Sequence, residues 1–171
     1  TFDGTTLTIP GRIAFPAIQS DTSNANTLDD YEEGDWTPQI SINGSTSGIT
    51  HATDGSNAGR YTKVGRLVLA SGNVVLTDKG SSSGSVTINL PFTPNAFVLN
   101  HYHGQGGFTT RIANLGSNKS NVVFRVRSDA AEAYLQGVSS FTTSPMNGFM
   151  NEGDMADNTN FAAHFIYQST G

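Results

Sequence analysis

Asn160-Phe161-Ala162-Ala163-His164-Phe165-Ile166-Tyr167-Gln168 is the stretch that decides the fold. Successive side chains of an extended strand point to opposite sides, so Phe161, Ala163, Phe165 and Tyr167 share one face. A period of two with aromatic bulk on one side marks a strand buried on that side. The same alternation runs through Trp36-Thr37-Pro38-Gln39-Ile40-Ser41-Ile42, with Trp36, Ile40 and Ile42 together and Thr37, Gln39 and Ser41 opposite. Between these lie further strand-like runs at 60–64, closed by Gly65, at 67–76, and at Val86, Ile88 and Leu90, stopped by Pro91. Gly72 inside the long run predicts a bulge or bend. The Gly/Ser stretch 78–84 reads as a turn, making the runs on either side of it a hairpin. Segments 96–102, 109–115, 121–127 and 131–136 bring the total to nine or so strands. Ala-Ala-Glu-Ala makes 129–135 the one place where a short helical turn competes. The segment 137–159, rich in Gly, Ser, Met and Asn, reads as a long surface loop of the kind that carries binding.

Composition agrees with this reading. A chain of 171 residues can bury one core unaided, and a charged fraction of 13% with 19 glycines suits many strands joined by tight turns. The net charge is −5 and the basic residues are scattered, which gives no footprint for nucleic acid or an anionic membrane. The absence of cysteine excludes disulfides, thiolate metal sites and thiol nucleophiles. No apolar run approaches the roughly 20 residues of a bilayer span, so membrane insertion is not expected. The expected fold is all-β, an antiparallel β-sandwich of jelly-roll type over residues 29–171, behind an extended connector at 1–28. In that connector Leu7-Thr8-Ile9 and Ile13-Ala14-Phe15 each run into a proline, and such a segment can cross between subunits. A chain that opens on Thr1, in what reads as mid-strand, is expected to be a piece of something longer.

Residues 27–92 carry a resemblance. Thr27-Leu28-Asp29-Asp30-Tyr31-Glu32-Glu33-Gly34-Asp35-Trp36-Thr37-Pro38, then Gly48-Ile49-Thr50, Gly59-Arg60-Tyr61-Thr62-Lys63-Val64-Gly65, Lys79 to Gly84 and Leu90-Pro91-Phe92, resemble a module near the C-termini of bacteriophage tail fibres and tailspikes. The resemblance implies a β-sandwich, homotrimeric assembly and attachment of the virion tail to a bacterial surface glycan, capsule or lipopolysaccharide, with host specificity toward the distal part. Aromatic faces stack on sugar rings and planar polar side chains bind hydroxyls, each contact weak, so three copies add avidity.

The candidate receptor residues are His101, Tyr102, His103, Phe108, Arg111, Arg125, Arg127, Tyr134 and Phe149. Trp36, Phe124, Phe161 and Phe165 fall by alternation in the core. His101 and His103 point to the same side of a strand, and three copies around an axis would offer six imidazoles to an octahedral metal; a binding or interface pair is the favoured reading, and no cofactor is expected. Gly80-Ser81-Ser82-Ser83-Gly84 matches G-x-S-x-G in letters only, because a strand rather than a helix follows. No catalytic residue is assigned, and His51, His101, His103 and His164 tie to no serine. Asp29, Asp30, Glu32, Glu33 and Asp35 offer carboxylates for glycoside hydrolysis, but so dense a like-charge run reads as a solvated face. Asp154, Asp157, Asn158 and Asn160 offer oxygens to calcium without the spacing of a known loop. Non-enzymatic adhesion is the leading expectation; a capping domain that only registers a trimer and a glycan hydrolase are the alternatives.

Overall fold

The computed structural model describes residues 4, 7–15, 30–96, 105–116, 119, 121–128, 130–138 and 148–170. Among the described residues there are ten strands: β1 (Tyr31–Trp36), β2 (Ile40–Ile42), β3 (Ile49–His51), β4 (Ala58–Val64), β5 (Leu67–Lys79), β6 (Val86–Asn89), β7 (Gly106–Ala113), β8 (Asn121–Val126), β9 (Glu132–Val138) and β10 (Asn160–Gln168). Every pairing between them is antiparallel. Among the described residues the one helical element is a 3-10 turn at Glu152–Asp154. The all-β, antiparallel expectation holds.

The strands pair in the order β1-β4-β5-β10-β7-β8-β9-β6-β2, with β3 also on β5. Laid flat, the ends of that path would lie about 38 Å apart at roughly 4.8 Å per strand. Yet β1 ends at Trp36 and β2 begins at Ile40, and four residue steps span at most about 14 Å. The sheet therefore has to curl round until its two ends meet. The layers expected of a jelly roll are thus two limbs of one hydrogen-bonded ribbon bent round its core. Asn89 fixes the join: its side-chain amide donates to Thr37 O at 3.0 Å and its Oδ1 accepts from Gln39 N at 2.7 Å. His51 fixes it from β3, with Nε2 accepting from Ile40 N at 3.1 Å. Burial lowers the pKa of that imidazole, which keeps the ring nitrogen available as an acceptor.

β10 lies at the centre, paired with β5 on one side and β7 on the other. Its Phe161, Ala163, Phe165 and Tyr167 are all buried, beside Ile40, Ile42, Val68, Val74, Ile88, Phe124 and Leu135. Each of the larger aliphatic and phenylalanine side chains contributes about 1.5–3 kcal/mol by leaving water, and Ala163 less. Trp36, Phe124, Phe161 and Phe165 are core, as the alternation predicts, and Phe124 touches both β10 phenylalanines at 5.8 and 4.8 Å. Tyr167 adds a polar anchor, its hydroxyl donating to Phe92 O and accepting from Phe92 N, both at 3.1 Å.

Glycines make room for the aromatics of the motif region. Trp36 faces Gly59 across β1 and β4, and Gly59 faces Gly72 across β4 and β5. The indole lies over that bare pair and donates to Ser71 O at 3.2 Å. Gly72 is accordingly no bulge: its register is unbroken, and a Cβ there would meet Pro38 at 2.7 Å. Tyr61 likewise covers Gly34. Its hydroxyl donates to Glu32 Oε1 at 2.5 Å, and this bond, more than burial, pushes the phenol up to about 12. A pKa above the ordinary value of about 10 means that the folded chain holds this proton more tightly than the unfolded one. The contribution is complete below about pH 10 and disappears as pH rises through about 12. Alkaline titration followed by phenolate absorbance should show a late tyrosine step that Tyr61→Phe removes. If the variant instead loses a step at the ordinary tyrosine position, the Glu32 bond is not the cause.

Other expectations are corrected. The runs at 67–76 and 86–90 form no hairpin: β5 is occupied by β4 and β10, while β6 pairs with β2 and β9. The strand expected at 131–136 is present as β9; the competing helical turn does not form, because alternation buries Ala133 and Leu135 against the core and outweighs local helix propensity. The described part of 137–159 is no solvated loop. Met150 N donates to Leu135 O, Met150 O accepts from Val86 N, and Met150 and Met155 are fully buried. Asn151 and Asp154 close a capping box round the 3-10 turn between them. Nor is the acidic run wholly solvated, since Asp30 is buried in an ion pair with Lys63.

Candidate functional site

Alternation that buries one face of the ribbon commits the other to solvent. Seven strands contribute one continuous outer row in register: Asp35, Arg60, Ser71, His164, Phe108, Val123 and Gln136, with Phe149 bridged to the last. At its centre the Phe108 ring lies nearly parallel to the His164 imidazole, with centroids 5.2 Å apart and planes at 15°. Phe108 is 50% exposed, so one face of a flat, anchored aromatic ring is open to water. Thr110 Oγ1 lies 3.4 Å from His164 Nε2 and limits rotation of the imidazole.

Hollows flank this ridge. One of about 710 Å³ is lined by Glu33, Arg60, Thr62, Leu69, Phe108 and Ile166. A second of about 640 Å³ shares Asp35, Arg60, Ser71 and His164 with it and continues over Gly59 and Gly72. A smaller one of about 290 Å³ lies toward Gln105 and Phe124. Arg60 Nε approaches Asp35 Oδ1 at 3.5 Å with both side chains solvated, so the groove wall carries charges of both signs.

Farther along the same face, Tyr134 stands opposite Arg125 across β8 and β9. Its ring packs on Phe149 at 4.4 Å. The Arg125 guanidinium lies over Phe149 at 5.3 Å and that of Arg127 over Tyr134 at 5.2 Å, while Arg127 Nη1 donates to Glu132 Oε1 at 3.0 Å. Desolvation lowers the Arg125 pKa, partly offset by Tyr134. These cation-aromatic contacts hold the long arginine side chains in place.

Four of the expected receptor residues, Arg125, Arg127, Tyr134 and Phe149, therefore form one cluster. Phe108 lies on the same face two strands from Tyr134, on β7. Arg111 is also outward on β7, opposite Ala162, beyond the residues that pair β7 with β8. His101, Tyr102 and His103, and with them the metal reading, lie outside the described residues, as does Asp29. No group of three metal-ligating side chains comes together among the described residues. Two of the four calcium candidates have other partners: Asp154 accepts from Asn151 N at 3.0 Å, and Asp157 Oδ1 accepts from Lys79 N at 3.3 Å, while the buried Asn160 Oδ1 has no hydrogen-bond partner among the described residues. Residues 80–84 join two strands, as the absence of a following helix implies. Alternation also divides the acidic run, turning Glu33 and Asp35 outward while Glu32 turns in to Tyr61.

Sequence reasoning missed His164, Arg60, Asp35, Leu69 and Ile166 as surface-site residues. A signal existed, because Ile166 and Leu69 occupy the polar phase of strands whose other phase is already filled with apolar residues.

Together these features define an all-β domain with an aromatic, arginine-bearing outer face. Its fold is similar to part of the crystal structure of the Dettilon tailspike protein, with a TM-score of 0.60 and 16% identity. The likeness covers 80% of this chain and 23% of that one, so this chain spans less than a quarter of that protein. No protein-family model matches the sequence, and no curated protein matches it.

Proposed function

We propose that this domain is a bacteriophage tail module that attaches the virion to a bacterial surface polysaccharide, binding without cleavage and acting as a homotrimer. The observation that carries the reading is the half-exposed Phe108 ring, held flat against His164 between two hollows. A pyranose presents one apolar face to such a ring and its hydroxyls to flanking polar groups, here Asp35, Arg60 and Ser71. The Tyr134, Phe149, Arg125 and Arg127 cluster extends the surface to a second sugar-sized platform. The likeness to a tailspike fold supports the setting. Binding without cleavage is supported by the placement of Glu33 and Asp35 on one side of a single strand, whereas glycoside hydrolysis uses two carboxylates facing each other across the scissile bond.

The test is a glycan array followed by titration on host cells. Phe108→Ala should weaken saturable binding at least tenfold, since stacking of this kind contributes on the order of 1 kcal/mol per copy and is multiplied over linked copies. Its melting temperature should stay near that of the unmodified chain, because the ring is half exposed. A chain that binds no host glycan would support the capping alternative. Reducing ends released on incubation with capsule or lipopolysaccharide would establish the hydrolase.

A further inference from the structure

The outer face has a second, chemically different half. Tyr31, Val64 and Leu67 stand side by side across β1, β4 and β5, and Leu69 and Ile166 stand side by side in the next outward row, on β5 and β10. All five are exposed, Leu69 at 46% and Ile166 at 52%. Adjacent outward rows are about 7 Å apart, so the five make one contiguous apolar patch. Such patches on a soluble domain mark association surfaces.

The chain also carries an apolar segment without cover. In residues 7–15, Leu7 is 60% and Ile13 63% exposed, and Ile9 is exposed as well. Phe15 packs on Tyr31 at 5.9 Å, so this arm reaches the margin of the patch of its own copy while Leu7, Ile9 and Ile13 remain in water. Leu7 and Ile9 fall on one side of an extended segment, as do Ile13 and Phe15, with Pro10 and Gly11 between the pairs. The one charge in 7–15 is Arg12, and the patch holds the exposed carboxylate of Glu33, in the same row as Leu69. Arm and face are complementary in both polarity and sign.

We propose that residues 7–13 of the arm of one copy lie across the Tyr31, Val64, Leu67, Leu69 and Ile166 patch of a second copy, making these two outward rows, and not the Asp35, Arg60, Ser71 and His164 row beside them, the subunit interface. The donating and receiving surfaces differ, so the contact is head-to-tail and closes into a ring by rotation. Only the number of copies, three, rests on the reading given above. The Phe108 ridge then borders the interface, and a bound glycan would lie near the seam between copies.

Light scattering on the full chain tests this. The unmodified chain should have three times its 18.1 kDa mass. Leu67→Asp with Ile166→Asp, and separately Ile9→Asp with Ile13→Asp, should each fall to one subunit mass while keeping a strand-type circular dichroism spectrum. The arm variant leaves the sheet untouched, so it decides the matter if the face variant fails to fold. Because the chain lacks cysteine, mixing Ile13→Cys with Leu69→Cys under oxidation should give a disulfide-linked pair that neither variant gives alone. If both aspartate variants keep the multimer, this interface is wrong and the trimer stands. If the unmodified chain is a monomer, both are wrong.

Discussion

Gly59→Val is expected to destabilise the domain by about 3–5 kcal/mol, the cost of displacing a buried tryptophan. A Cβ at Gly59 would stand 2.3 Å from Trp36 Nε1 and 2.8 Å from Ser71 O. One of these neighbours is a rigid indole bonded to Ser71 and the other is backbone, so neither can yield by rotating a flexible tip. The indole has to leave, losing its bond to Ser71 O and its edge contact with Phe165 at 6.2 Å. For a chain of this size the melting temperature should fall by on the order of 10 °C. Trp36 is the single tryptophan, so its fluorescence reports the event directly, and emission from the folded variant should shift to the red. Unchanged melting with unshifted emission would show that the glycine pair does not seat the indole.

Lys63→Ala should cost a similar amount for a different reason. Asp30 and Lys63 form a salt bridge whose side chains are 1% and 7% exposed. Among the described residues neither Asp30 oxygen has a hydrogen-bond partner beyond this ion pair, so the ammonium is its principal compensation. Removing it strands a carboxylate in the interior, an arrangement that costs about 3–5 kcal/mol. The Asp30→Leu, Lys63→Met double variant should recover most of that loss, because an apolar pair of similar bulk needs no compensation. Denaturant unfolding measures all three. A single variant within 1 kcal/mol of the unmodified chain, or a double variant no better than the single, would show that water or a shifted backbone already solvates Asp30.

The fold was largely legible because its evidence is local. Phe161, Ala163, Phe165 and Tyr167 announce a strand by spacing alone, and β10 occupies the same nine residues read from the sequence. Pairing was not legible. Nothing in the Gly/Ser stretch after β5 tells whether the chain turns back on itself or crosses to the other limb, since that depends on distant strands filling both edges of β5. Gly72 misled for the same reason, because a glycine that makes room for a side chain on another strand looks, in one dimension, like a bulge. For the outer face, aromatics and arginines at 108–149 could be picked out by type. Their convergence required the β7-β8-β9 register. Asp30 was hidden because five acids in seven residues suggest a solvated run, while a strand turns alternate members inward regardless of charge.

The three-residue link from Trp36 to Ile40 has one more consequence. An open sheet ends in two rows of unsatisfied amides and carbonyls, and such borders recruit neighbouring chains into aggregates. Here both borders belong to consecutive strands, so the link brings them together, and Asn89 pins it from the side. Cleaving the backbone between residues 37 and 39 would free two sticky margins at once, and proteolysis there should produce precipitation well before the core itself comes apart.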